Sequence, residues 1–329
     1  MGEYAYLLYI AIILLSTKLL GIVARKLGMP QVVGALFAGI ILGPSVLNMI
    51  PTSGEIGTFI TYLAELGVIF LMFAAGLETD MQELKKNSVP ALIVASIGVL
   101  VPIAGGFAAY AAVFHPDLSQ QINVLKAVFI GVVLSATSVS ITVETLREMG
   151  KLNGKVGTTI LGAAVIDDIL GIIVLTIVSS LQDTSVSIVS VLLRIVLYFV
   201  FIGAVYFAVH KAKNYLEKLD GKRTIAIAAF VFCLVMAYMS ETVFGTADIT
   251  GAYFAGLILC SLKIQPYVNQ KTEVISYMFF SPVFFVSIGL KTTIAGMTSQ
   301  VAWFAVVLLL VAIASKVIGC GLGAKICGF

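Results

Sequence analysis

Charge is what this chain has least of. Of 329 residues, 11% are Asp, Glu, Lys or Arg, against 60% hydrophobic. A soluble domain carries about 25% charged residues, so the composition excludes a soluble globular protein and calls for a polytopic membrane protein. Histidine occurs only twice, as His115 and His210, both at loop edges. The four cysteines (Cys233, Cys260, Cys320, Cys327) fall in or at the end of apolar runs without metal-ligand spacing, and read as small packing residues. Met1-Gly2-Glu3-Tyr4 lacks the basic segment and small-residue cleavage site of a signal peptide, so the first permanent span starts near Tyr4. No nucleotide loop, nucleic-acid motif, metal-ligand cluster or nucleophile–base arrangement stands out. The reading is therefore a non-enzyme without a cofactor.

What is present is apolar length. Runs suited to crossing a bilayer, which takes roughly 20 residues, lie at 4–24, 31–50, 56–77, 89–114, 122–146, 156–181, 186–209, 223–244, 247–262, 273–290 and 300–324. Basic residues orient them. The loops after odd-numbered spans hold 14 Lys and Arg residues and those after even-numbered spans only Lys126 and Lys291. Positive loops stay inside, so the N-terminus is expected outside and the basic loops in the cytoplasm.

Two internal echoes suggest a duplicated architecture. Residues 28–43 around Gly34, Gly39 and Gly43 match residues 245–260 around Gly251 and Gly256 at eight of sixteen positions, offset by 217. Leu71–Leu77, ending Gly76-Leu77, resembles Phe284–Leu290, ending Gly289-Leu290, offset by 213. Seven spans separate the first pair, so the repeats are expected to be inverted, which places a binding site near the midplane. The expected division is residues 1–181 as the first repeat (spans 1–6), 182–222 as a linker helix with its cytoplasmic loop, and 223–329 as a second, incomplete repeat (spans 8–11). By the repeat, counterparts of spans 5 and 6 are expected beyond Phe329.

The chemistry concentrates in span 6. Asp167 and Asp168 stand side by side inside the apolar stretch from Val156 to Leu181. An Asp at membrane depth costs at least ~2.5–3.5 kcal/mol, so the pair calls for a cation, a proton or water. Span 5 carries a hydroxyl-rich run at its midpoint, Ser135-Ala136-Thr137-Ser138-Val139-Ser140. Such residues replace backbone partners where a helix opens, and open backbone at this depth must line protein or a cavity; the run predicts a broken helix facing the two aspartates. Lys316 lies too deep in span 11 to snorkel easily, and Asp167 or Asp168 is its candidate partner. Adjacent helical residues point about 100° apart, so one carboxylate can meet the lysine while the other faces an ion pathway. Lys18 and Arg194, near span ends, read as snorkelling residues. Glu65 is a candidate for an outer vestibule. Glu144, Arg147 and Glu148 read as helix-end pairing, with Glu144 a candidate for an entry funnel.

These residues resemble the monovalent cation:proton antiporter-2 (CPA2) family, particularly bacterial spore-germination-type Na+(K+)/H+ antiporters. The motifs are Leu71–Asp80, Ala136–Ile141, Leu161–Ile169, Pro282–Gly289 and Lys316–Gly321, in the family's order along nearly the whole chain. The resemblance implies an all-α inverted-repeat antiporter fold of thirteen spans, a homodimer in the lipid bilayer of the cell membrane, and elevator-like alternating access. It also implies a secondary transporter exchanging Na+, or K+ or Li+, for H+. Carried over by motif, Asp168 exchanges ion and proton, Asp167 pairs with Lys316, and Thr137 and Ser138 lie at the break. Na+ or K+ would sit at Asp168 and Asp167. The family's second broken helix, with its Arg-Gly-Glu motif, is not in this sequence. Rival readings are a non-transporting membrane scaffold, sensor module or fragment, and a channel-like K+ efflux protein.

Overall fold

The computed structural model describes residues 4–152, 154–181, 188–218, 220–293 and 298–329. Among these, regular structure is entirely helical. The long apolar helices are α1 (Ala5–Lys26), α3 (Gly54–Glu78), α5 (Ser88–Phe114), α8 (Lys155–Ser180), α9 (Ile188–Lys211), α11 (Arg223–Thr242) and α15 (Ser299–Ile326). Two shorter ones are α2 (Gln31–Leu42) and α12 (Asp248–Leu259). One span is split into α6 (Gln121–Ser135) and α7 (Val139–Glu148), and another runs as α13 (Gln265–Ile275), a π turn (Ser276–Phe280) and α14 (Ser281–Leu290). The surface helices α4 (Met81–Lys86) and α10 (Lys213–Glu217) complete the set. Counting each split span once, nine helical segments among the described residues are long and apolar enough to cross a membrane, with α2 and α12 as shorter apolar helices.

Three boundaries differ from the sequence reading. The stretch expected to span 31–50 is helical only to Leu42, because Gly43-Pro44 cannot continue a helix and the chain turns back through Asn48 at φ 47°. At 1.5 Å per residue, the twelve-residue helices α2 and α12 are each about 18 Å long, well short of the ~30 Å hydrocarbon core. The segment expected at 273–290 begins eight residues earlier, at Gln265, with Pro266 in the first turn where its missing N–H costs nothing. The π turn absorbs one extra residue in that helix. Within it the Ser276 and Ser281 hydroxyls meet at 3.1 Å.

Helices pack through glycine. Lipid tails are as apolar as leucine, so association inside a membrane rests on close van der Waals approach by small residues. A Cβ on Gly39 of α2 would fall 2.8 Å from Gly289 Cα of α14, and one on Gly256 of α12 would fall 2.9 Å from the Gly76 carbonyl carbon of α3. The first echo therefore touches the second twice, α2 against α14 and α12 against α3. These contacts help build one bundle from α1, α2, α3, α11, α12, α13 and α14, whose buried centre includes Phe73, Met236 and Tyr253. A second group comprises α5, α6, α8 and α15. Half-helix α7 touches α8 of this group and α2 and α3 of the bundle, so it lies at the junction. Helix α9 leans on α8 and α12 and buries only Tyr198 and Ile202 among its described residues; the rest of its apolar surface suits lipid.

Candidate ion site

The break in the split span is built by its own side chains. Helix α6 stops at Ser135, and Ala136 and Ser138 are extended, with ψ of 127° and 106°. Hydroxyls take up part of the bonding the interruption frees. Ser135 Oγ donates to the Val132 carbonyl at 2.8 Å, Thr142 Oγ1 donates to the Ser138 carbonyl at 2.9 Å, and Ser138 Oγ caps α7 by accepting from the Ile141 N–H at 3.4 Å. The sequence reading of a broken helix holds, with Ala136, Thr137 and Ser138 as the non-helical residues.

Opposite the break stand the two aspartates of α8. Asp167 is buried, and both its carboxylate oxygens lie 3.4 Å from Lys316 Nζ. The hydroxyl and backbone N–H of Thr137 also act on this carboxylate. Lys316 is brought here by the way α15 lies on α5. Gly319 packs on Ile97 and Val101, and Gly323 on Val94. The lysine shares that helix face, at positions i, i+3 and i+7. Asp168, about 100° further round α8, is half-buried and has no hydrogen-bond or ion-pair partner among the described residues. A cavity of about 350 Å³ opens beside Asp167 and Lys316, lined also by Thr137, Thr142 and Cys320 among others, and Asp168 is not in its lining. The structure thus brings Asp167, Thr137 and Lys316 together and leaves Asp168 as an adjacent carboxylate without its own cation.

A second polar cluster escaped the sequence reading. Arg147, near the far end of α7, binds Glu78 of α3 at 2.7 Å and Glu273 of α13 at 2.9 Å. Its guanidinium also donates to the Tyr277 hydroxyl and lies over that ring, 3.8 Å from the centroid. Asn269 donates to both glutamates, at 3.2 and 2.9 Å. The pairing expected within the helix end is therefore replaced by pairing across helices. Separations of 69 and 126 residues leave no local pattern to read. Glu148 accepts from the Gln31 N–H at 2.6 Å, and one carboxylate oxygen of Glu144 is buried without a partner among the described residues. Glu144, Glu148 and Lys18 line a cavity of about 400 Å³ that also includes Thr17, Tyr277 and Ser281. Glu65 and Arg194 are exposed and line neither of these cavities.

A family model described as "Sodium/hydrogen exchanger, transmembrane" matches residues 11–329. The chain belongs to the sodium/hydrogen exchanger family. This exchanger is 41% identical to the Na(+)/H(+)-K(+) antiporter GerN of Bacillus cereus, over 99% of its own length and 82% of that protein. It is 37% identical to a Na(+)/H(+) antiporter of Enterococcus hirae, over 97% of its length and 82% of the relative. Its fold matches the solved sodium proton antiporter MjNhaP1 of Methanocaldococcus jannaschii with a TM-score of 0.68 at 18% identity, covering 99% of this chain and 79% of that one. The resemblance drawn from the motifs and the family match agree. The exchanger is a multi-pass membrane transporter rather than an enzyme.

Proposed function

We propose that this exchanger moves Na+, with K+ as a second cation, against H+ across the cell membrane, and that Asp168 carries both. The carrying observation is the asymmetry of the aspartate pair. Asp167 is already faced by Lys316 and Thr137, whereas Asp168 has no such counter-charge. A carboxylate at membrane depth without a fixed cation must recruit a mobile one. A proton and an alkali cation then compete for the same oxygens, and that competition couples the two fluxes. Asp167 and Lys316 supply a nearly neutral pair beside the site, and Thr137 and Ser138 contribute polar groups from the break.

The repeat reading supports alternating access. The contacts of Gly39 with Gly289 and of Gly76 with Gly256 exchange under the same 213–217 residue offset, as two inverted halves would require. On this reading residues 1–181 and 223–329 form the repeats, the N-terminus lies outside, and the protein works as a homodimer. The group holding Asp168 moves against the bundle around α3 and α12.

The test is proton movement reported by a pH-sensitive dye in everted membrane vesicles, challenged with Na+, K+ and Li+. Wild-type protein is expected to release protons on cation addition, and Asp168→Asn to release none. Equal exchange by both would sink the proposal. A conductance far above carrier turnover would instead favour a channel, and silence of the wild type a scaffold.

A further inference from the structure

We infer that the Arg147 cluster is a latch between the two helix groups and that Arg147 is a positioning residue for exchange. The inference rests on the alternating-access reading above. Half-helix α7 has one end at the break, where Ser138 caps it beside the aspartates. Arg147 lies nine residues further along, about 13 Å at helical rise. There it meets Glu78, Glu273 and Tyr277, all from the bundle around α3. Those partners are themselves fixed. Gln265 donates to the Leu77 carbonyl at 2.9 Å, tying α13 to the end of α3, and Gly76, the residue before Leu77, presses on α12. Arg147 therefore joins the half-helix that flanks the ion site to the bundle that stays in place.

A charge-assisted fork of this kind is directional, and its short distances do not survive a sliding of several ångströms. If α7 travels with the Asp168-bearing group, Arg147 must leave Glu78 and Glu273 in each cycle. The cluster then exists in one conformer. That conformer has the 400 Å³ cavity open beside Glu144, Glu148 and Lys18, at the end of α7 assigned to the cytoplasm. Weakening the latch disfavours this conformer, and only a differential interaction of this sort can shift a two-state equilibrium. The intrinsic affinity of Asp168 is expected to be untouched, since Arg147 lies about 13 Å along α7 from the break.

The experiment compares apparent Na+ KM at the two faces, in everted and right-side-out vesicles of the full chain, normalised to protein amount. Glu273 is the gentler target, its side chain being 41% exposed while that of Glu78 is 13% exposed. For Glu273→Gln the expected result is a cytoplasmic-face KM raised about three- to tenfold with the outer-face KM unchanged or lowered. Arg147→Glu alone is expected to be more severe. Combining it with Glu273→Arg keeps one cation and two carboxylates in the cluster and is expected to restore the sidedness. Equal effects on both faces, or no recovery in the exchanged pair, would overturn the latch. Silence of the wild-type vesicles would instead refute the exchange reading. In that case the latch falls with it, and thermal melting of Arg147→Gln, Glu273→Gln and the double variant reads only whether the ion pair stabilises the fold.

Discussion

Replacing Lys316 by Gln removes the one cation facing Asp167 among the described residues, and the size of the effect follows from the geometry. Deleting one partner of a buried ion pair costs about 3–5 kcal/mol, most of it the exposure of the remaining charge to apolar surroundings. Here the contact is loose, at 3.4 Å to both oxygens, and the lysine side chain is 22% exposed while that of Asp167 is 7% exposed. Close charge-assisted bonds run about 2.7–2.9 Å, and the lysine is partly exposed, so the cost falls at or below the bottom of that range, about 2–3 kcal/mol. For a chain of this size that is a fall in melting temperature of about 4–6 °C, at about 2 °C per kcal/mol. The assay is thermal melting of purified protein in detergent. Asp167→Asn is expected to cost less, because the carboxylate of the neighbouring Asp168 remains for Lys316. The double variant is expected to melt above the sum of the two losses, with a coupling of about 1–2 kcal/mol. Strict additivity within about 0.5 kcal/mol would refute the pairing, since residues that do not interact behave that way.

Further outcomes follow from the same contacts. Gly76→Val and Gly256→Val each force side-chain atoms into a facing helix backbone. Each is expected to lower the yield of folded protein by destabilising it about 1–3 kcal/mol or more, read by melting, whereas Gly203→Val, which meets nothing within 4 Å, is expected to be silent. Thr137→Val keeps the shape of the break but removes the hydroxyl that acts on Asp167. It is expected to raise the Na+ KM several-fold with less effect on the melting temperature; an unchanged KM would remove Thr137 from the site. In the loop after α5, the hydroxyl and backbone N–H of Ser119 hold the Asp117 carboxyl below its usual range. A carboxylate lowered in the folded state stabilises above its unfolded pKa and loses that contribution as pH falls through the folded value. Protease resistance of this loop is therefore expected to persist down to acid pH in the wild type and to lose that profile in Asp117→Ala.

How much was legible before the fold was known depends on the range of the physics involved. Helix existence is local. A run of about 20 apolar residues has few alternatives in a bilayer, so the positions of the spans and the interruption at Ala136–Ser138 followed from composition and hydroxyl content. Lys316 needed a carboxylate because charge at depth must be compensated, which restricted its partner to two residues; which of them it meets depends on the crossing of α15 over α5. The shortening of α2 at Gly43-Pro44 was written in the sequence too, but an apolar continuation masked it.

The sequence alone determined that the chain crosses a membrane many times, that one span breaks, and that two aspartates and a lysine share an apolar environment. The motif resemblance already assigned Lys316 to Asp167, and the structure places the two 3.4 Å apart; only the tertiary structure decided that Gly39 and Gly76 press on Gly289 and Gly256, and that Arg147 joins Glu78 and Glu273 rather than its neighbours on α7. The reason is the same throughout. Burial and charge compensation act on each residue wherever it lies, so their demands can be read in one dimension. Which partner meets a demand depends on crossing angles and helix rotation, and these are set by contacts between residues far apart along the chain.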